Sequence, residues 1–181
     1  MEVFWRKGYQ ATSVADLVEA TGLKRGSLYG AFGDKHAIYL AALDAYMASA
    51  LGLFVGLRDA HDDPVDAVRA FVRLQGEDCQ SGKGAERSCM ISTACGELLS
   101  TDAIARERVQ GYLQSVQTAI ASALAVAQER GTFDAHRDPA AVALFIQTSM
   151  QGLNLLAQSR PPPGAIDGVV AEILRTLDSA P

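Results

Sequence analysis

Two short amphipathic segments split by a Thr-Gly-Leu break, over residues 12–35 (TSVADLVEATGLKRGSLYGAFGDK), constrain this chain more than any other stretch. In the first segment Val14, Leu17 and Val18 recur at i, i+3 and i+4, which lays one apolar stripe along a helix. Thr12 and Ser13 stand just ahead of it, where a hydroxyl accepts from the free N–H groups of a first turn. Gly22 suits the left-handed conformation that ends a helix without a Cβ clash. The second segment, residues 24–32, is expected to turn Leu28 and Phe32 inward and to leave Lys24, Arg25, Ser27 and Tyr29 outward. A short helix with small, basic and hydroxyl groups on its free face suits a DNA major groove. The backbone approaches closely there, and the side chains reach phosphates or base edges.

Read in register, the pattern Thr-Ser-Val-x-Asp-Leu-Val-x-Ala-x-Gly-Leu-x-x-Gly-Ser-Leu-Tyr-x-x-Phe-x-x-Lys resembles the DNA-binding domain of the TetR/AcrR family of transcriptional regulators. Many positions match at fixed spacing, so the signal is far more specific than a lone helix-turn-helix. The resemblance implies an all-α protein with a three-helix DNA-binding domain over 1–45 and a ligand-binding and dimerisation domain over 46–181. It places Thr12, Tyr29 and Lys35 where family members contact phosphates, beside Ser13. Lys24, Arg25 and Ser27 fall where bases or backbone are read. The fork of Arg25 matches guanine O6 and N7, and Tyr29 is expected both to touch phosphate and to pack on the head. The family often carries a bulky residue or His at the positions of Gly30 and Ala31, so this end of the helix offers little to DNA. Its first helix usually begins earlier, whereas here residues 1–7 give only an abbreviated helix stopped by Gly8.

The formal charge of −5 looks wrong for a nucleic-acid binder until it is divided along the chain. The first fifty residues carry five basic and five acidic groups, and the rest carries eleven basic against sixteen acidic. The head is therefore neutral, and affinity must come from placed contacts and from dimerisation rather than from a general field. No apolar run reads as long enough to span a bilayer, and MEVFWRKGYQ interrupts its apolar residues with charge and lacks a cleavage site, so it does not read as a secretory signal. A soluble, cytoplasmic protein is expected. Enzyme chemistry has no support: there is no Gly-rich phosphate loop and no nucleophile elbow, and no cofactor is implied.

Behind the head, Asp34 caps a helix over 35–57 that is apolar on several sides, a natural coupling rod. Asp63-Pro64 and Asp138-Pro139 each place a cap and a first-turn proline at a helix start, the first fading near Cys79 and the second running to about 158. Residues 81–84 read as a loop and 87–99 as a small-residue helix. Thr101-Asp102 caps a long helix to 130, and Pro161-Pro162-Pro163-Gly164 breaks the chain before the last helix.

That last helix shows the stripe Ile166, Val169, Val170, Ile173, Leu174 and Leu177. With Phe145, Leu153 and Leu156 of the preceding helix, it would either close the monomer's own core or pack against a symmetry copy as a four-helix bundle. The resemblance favours the homodimer. Met47, Leu51, Phe54, Phe71, Cys89, Met90, Thr93, Tyr112, Phe145, Met150 and Asn154 suit an apolar pocket with few orienting groups. Each is equally ordinary core, and the small-molecule effector site comes from the resemblance. The expected function is a ligand-responsive repressor on a palindromic double-stranded operator. The alternative on the same scaffold is a thiol-based redox or electrophile sensor using Cys79, Cys89 and Cys95. Buried structural thiols are the plainer reading, and scattered His36, His61 and His136 argue against a metal site.

Overall fold

The computed structural model describes residues 1–81 and 89–178, and these are all-α, as the sequence pattern predicts. The helices are α1 (Glu2–Lys7), α2 (Val14–Thr21), α3 (Arg25–Phe32), α4 (Lys35–Ala60), α5 (Pro64–Gln80), α6 (Met90–Glu97), α7 (Ala103–Glu129), α8 (Pro139–Gln158) and α9 (Ala165–Arg175). They divide into one unit of Met1–Ser49 with Arg87–Gln110 and another of Ala50–Glu86 with Gly111–Pro181. The expected loop at 81–84 lies, beyond Ser81, outside the described residues, as do residues 87 and 88 of the helix expected over 87–99.

In the first unit the start and stop signals act locally. Ser13 caps α2 reciprocally with Asp16: its hydroxyl accepts from the Asp16 N–H at 3.1 Å, and its own N–H donates to Asp16 Oδ2 at 2.8 Å. Gly22, at φ 67 and ψ 5, ends α2 in the left-handed region. Asp34 accepts the Ala37 N–H at 2.7 Å and opens α4. Val3, Phe4, Leu17, Leu28, Tyr39, Leu40, Leu43, Met47, Met90, Ile91 and Ala94 are buried. Phe32 corrects the expectation for α3. It lies one turn beyond buried Leu28, at the last helical position before Gly33, and is 46% exposed.

The second unit is built on α5, α8 and α9, which touch one another, with the second part of α7. Asp63 accepts the Val65 N–H at 3.0 Å and Asp138 the Ala140 N–H at 2.9 Å, so both cap-then-proline signals are realised. Gly76 lets α5 approach α9: a Cβ there would stand 2.6 Å from Val170 Cγ2. Buried Gln147 is satisfied, its Nε2 donating to the Leu113 carbonyl at 2.7 Å.

Two expectations change here. Leu153, Ile166, Ile173 and Leu177, assigned to a dimer interface, are buried in this unit's core, where Leu156, Val169, Val170 and Leu174 also pack partly buried. A stripe records that a helix face meets apolar surface, and this one is met within the same unit. Second, α4 and α8 do have the length and composition of membrane-crossing helices. Core and interface helices pass the same test, so this places neither in a membrane.

Candidate nucleic-acid interface

Eight residues make α3, and Lys24 precedes it in extended conformation without a side-chain cap. The Ser27 N–H donates to the Lys24 carbonyl at 2.9 Å, so it is the N–H groups of Arg25 and Gly26, with no side-chain cap, that face outward at the positive end of the helix. Lys24, Arg25, Gly26, Ser27, Gly30 and Ala31 are all exposed, so the free face is small, basic and hydroxylated. A Cβ added at Gly26 or Gly30 would meet nothing within 4 Å, which leaves that backbone open to a groove. Arg25 lies across the half-buried Tyr29, its Cζ 5.2 Å from the ring centroid. The ring thus braces the guanidinium and narrows its rotamers. Half-buried Lys35 is placed likewise, its Nζ 4.4 Å from the Tyr9 centroid. Tyr9 in turn stands edge-on to Tyr39 at 5.0 Å and to His36 at 6.2 Å.

Thr12 is not part of this surface. It is 1% exposed, and its hydroxyl donates to the Gly8 carbonyl at 2.6 Å. The hydroxyl that the sequence offered to phosphate instead closes the turn between α1 and α2. Ser13 is exposed, but its oxygen is shared with Asp16. Lys7 reaches Asp16 at 2.8 Å, and this contact first, then the Ser13 N–H and hydroxyl, holds the Asp16 carboxyl down at about 2. Because the folded value lies below the ordinary 3.8, this contribution to stability is complete above about pH 4 and is lost as pH falls toward 2. Asp16→Asn is expected to flatten that acid limb. Thermal melts of both proteins at pH 7 and pH 3 check it, and equal losses in the two would overturn the assignment.

Sequence reading missed the groups that hold the head. Glu97 Oε2, at the end of α6, accepts the N–H groups of Tyr9 at 2.7 Å and Gln10 at 3.3 Å. His36 Nε2 meets Asp102 Oδ2 at 2.5 Å, and Arg108 pairs with Asp44. The Asp102 carboxyl is held below its usual range, chiefly by the Ala105 N–H it caps and further by His36. The Tyr39 hydroxyl is buried and unpartnered among the described residues, and burial with nearby Glu97 pushes its pKa up. The sequence signal available for this site was Gly8, whose φ of 73 marks a backbone needing glycine.

The eleven residues expected to line a pocket divide between the two units. Met47, Cys89, Met90 and Thr93 lie in the first unit and the other seven residues in the second. Phe54, Phe71 and Met150 are packed into the core, Leu51 and Tyr112 lie against it, and Phe145 is 47% exposed. Asn154 donates to the Met150 carbonyl at 2.9 Å. Two cavities of the second unit, of about 450 and 390 Å³, are lined by none of the eleven. Each thiol has its own surroundings. Cys79 is buried in the second unit, its Sγ 3.7 Å from Asn154 Oδ1. Cys89 is buried in the first and accepts from the Tyr46 hydroxyl at 3.4 Å. Cys95 is exposed, yet desolvation, then Cys89, pushes its thiol pKa up, away from reactive thiolate. The sensor alternative is not favoured. Among the described residues no three His, Cys, Asp or Glu groups are placed to hold a metal.

Residues 1–42 match the profile of bacterial regulatory proteins of the tetR family, and 64–173 match the tetracyclin repressor-like C-terminal domain. This chain belongs to the TetR family. The HTH-type transcriptional repressor ComR of Escherichia coli K12 is 27% identical over 158 residues, covering 87% of this chain and 75% of ComR. The regulatory protein TetR from Rhodobacter sphaeroides superposes with a TM-score of 0.85 at 25% identity, over 97% of this chain and 93% of that one. A cysteine mutant of the TetR-family regulator CifR, in a solved structure complexed with 26-bp double-strand operator DNA, gives a TM-score of 0.82 at 25% identity, over 96% of this chain and 90% of that one. This TetR-family chain is accordingly a DNA-binding transcriptional regulator, with an N-terminal helix-turn-helix and a C-terminal helical domain.

Proposed function

We propose that the protein is a repressor that binds a palindromic double-stranded operator as a homodimer and is released by a small molecule. The head over 1–45 reads DNA, and the region over 46–181 dimerises and takes the effector. The observation that carries this reading is the exposed N-terminal face of α3, with Lys24, Arg25 and Ser27 beside two glycines that obstruct nothing. In each head α3 enters one major groove, with half-sites a turn of DNA or more apart. The protein works where DNA is, in the cytoplasm. Its effector acts through differential affinity for two states of the dimer.

For dimerisation the support has moved from the apolar stripe of α9 to the outer face of α8. Phe145, Thr148, Gly152 and Leu155 follow one another there at helical spacing, beside Leu144, and all five are exposed. The small residues at the middle allow a second helix to approach closely.

Selection of bound duplexes from a random library tests the reading. A palindrome is expected, and recovery of no preferred sequence would overturn it. On the selected operator, Arg25→Ala is expected to weaken binding about tenfold to a hundredfold and to relax preference at one position, as loss of a bidentate base contact does. Tyr29→Ala and Lys35→Ala weaken all sequences alike and leave the preference intact. Unchanged binding by all three variants would remove these residues from the interface.

A further inference from the structure

We infer that Glu97 is a positioning residue for DNA binding: its carboxylate fixes the turn between α1 and α2 and thereby the pose of the recognition unit. The inference rests on the DNA-binding reading above and adds to it a residue that contacts no DNA.

Four observations converge on this turn. First, the N–H groups of consecutive residues Tyr9 and Gln10 both point at Glu97 Oε2, across 88 and 87 residues of sequence. Such a backbone concavity binds an anion, and hydrogen bonds to a carboxylate are about twice as strong as neutral ones. Second, Gly8 has φ 73, and a Cβ there would collide with Glu97 Oε1, so the place of that side chain is taken by the carboxylate. Third, the buried Thr12 hydroxyl ties the Gly8 carbonyl from the far side of the turn, one residue before the Ser13 cap of α2. Position set at Gly8–Gln10 is therefore passed through Thr12 to the start of the helix-turn-helix. Fourth, the segment carrying Glu97 is itself anchored, since Asp102 meets His36 and Arg108 meets Asp44, both on α4.

A carboxylate doing this acts as a second attachment for the head. Without it the turn keeps the Thr12 hydroxyl, the Lys7–Asp16 pair and the packing of the Tyr9 ring, but the Tyr9 and Gln10 N–H groups lose their carboxylate. The ordering of α1 against α2 and α3 must then be supplied at the moment of binding, which lowers affinity without removing any protein–DNA contact.

The test uses the full chain and an operator fragment selected by the wild-type protein, read by fluorescence anisotropy, with 1H–15N spectra of the same samples. Glu97→Ala is expected to bind about tenfold more weakly, the order of one lost charge-assisted hydrogen bond. The Tyr9 and Gln10 amide protons should shift upfield while the dimer persists by light scattering. Glu97→Gln, which keeps an acceptor oxygen at the same reach, should return to within threefold of wild type. A structural role alone would not produce that rescue together with the two amide shifts. Operator binding by Glu97→Ala equal to wild type, or weakened binding with both amides unmoved, would overturn the inference. In the wild-type protein the two turn amides are expected to exchange slowly with solvent, and fast exchange overturns it whatever the variants do. If the wild type selects no duplex, it is the DNA-binding reading that fails, whereas selection by wild type with an unaffected Glu97→Ala removes Glu97 alone.

Discussion

A protein carrying Leu155→Asp is expected to fold, to sediment as a monomer and to bind its operator at least a hundredfold more weakly. Leu155 is 66% exposed on α8, on the same face as Phe145 and Leu144, which are 47% and 49% exposed. The opposite side of α8 sends Val142, Ala143, Ile146, Met150, Leu153 and Ala157 into the core, so the fold does not depend on the outer face. A carboxylate at position 155 stays in water in the monomer and costs little there. In a symmetric contact the same face meets its copy, so two carboxylates lose water together and repel. Each head alone then holds one half-site, and the gain from tethering the second head, commonly a factor of 10² to 10⁴, is lost. The neutral charge of the first fifty residues makes that loss severe, because no general attraction to phosphate compensates. Sedimentation velocity and anisotropy on one preparation decide the matter. A variant that remains dimeric moves the interface elsewhere on the molecule. One that becomes monomeric and still binds tightly shows that a single head suffices.

Legibility followed the range of the interactions. The α2–α3 unit was readable because caps, a left-handed glycine and an i, i+3, i+4 stripe are all encoded within a few residues, as Ser13, Gly22 and Leu17 show. The helix starts at Asp63-Pro64 and Asp138-Pro139 were readable for the same reason. What failed depended on direction or on distance. A threonine before a helix offers its hydroxyl to either side, and only the fold shows that Thr12 turns back to Gly8. Ile166, Ile173 and Leu177 announce an apolar partner without naming it, and the partner is this unit's own core. The candidate pocket was collected by residue type, and residue type does not record that Phe54, Phe71 and Met150 are packed into the core. Glu97 and Gly8 are the extreme case: Gly8 reads in its own segment only as a helix stop, and its meeting with Glu97 is written only in three dimensions.

The largest stability effect is expected from Phe71→Ala, about 3–5 kcal/mol of unfolding free energy, the usual loss for a buried phenyl ring in a packed core. Phe71 stands edge-on to buried Phe54, centroids 5.2 Å apart and planes at 72°, within a cluster that includes Val68, Val72, Ile120, Leu124 and Ile146. Truncation removes the transfer free energy of the ring and its edge-to-face contact, and leaves a hole that rigid helices refill only in part. The same experiment bears on the effector. Phe71 and Phe54 were both assigned to a ligand pocket from their residue type, whereas the structure packs them as core. If a cavity already adjoins the ring, part of its surface has no partner atoms to lose, and the measured loss falls well short of this range. Urea denaturation of the two proteins, compared at equal slope, therefore separates the assignments. A full loss keeps Phe71 in the core and directs the search for the effector to other residues of the C-terminal region. A loss under about 1.5 kcal/mol, the level of a surface-adjacent or already hollow site, would return Phe71 to the pocket.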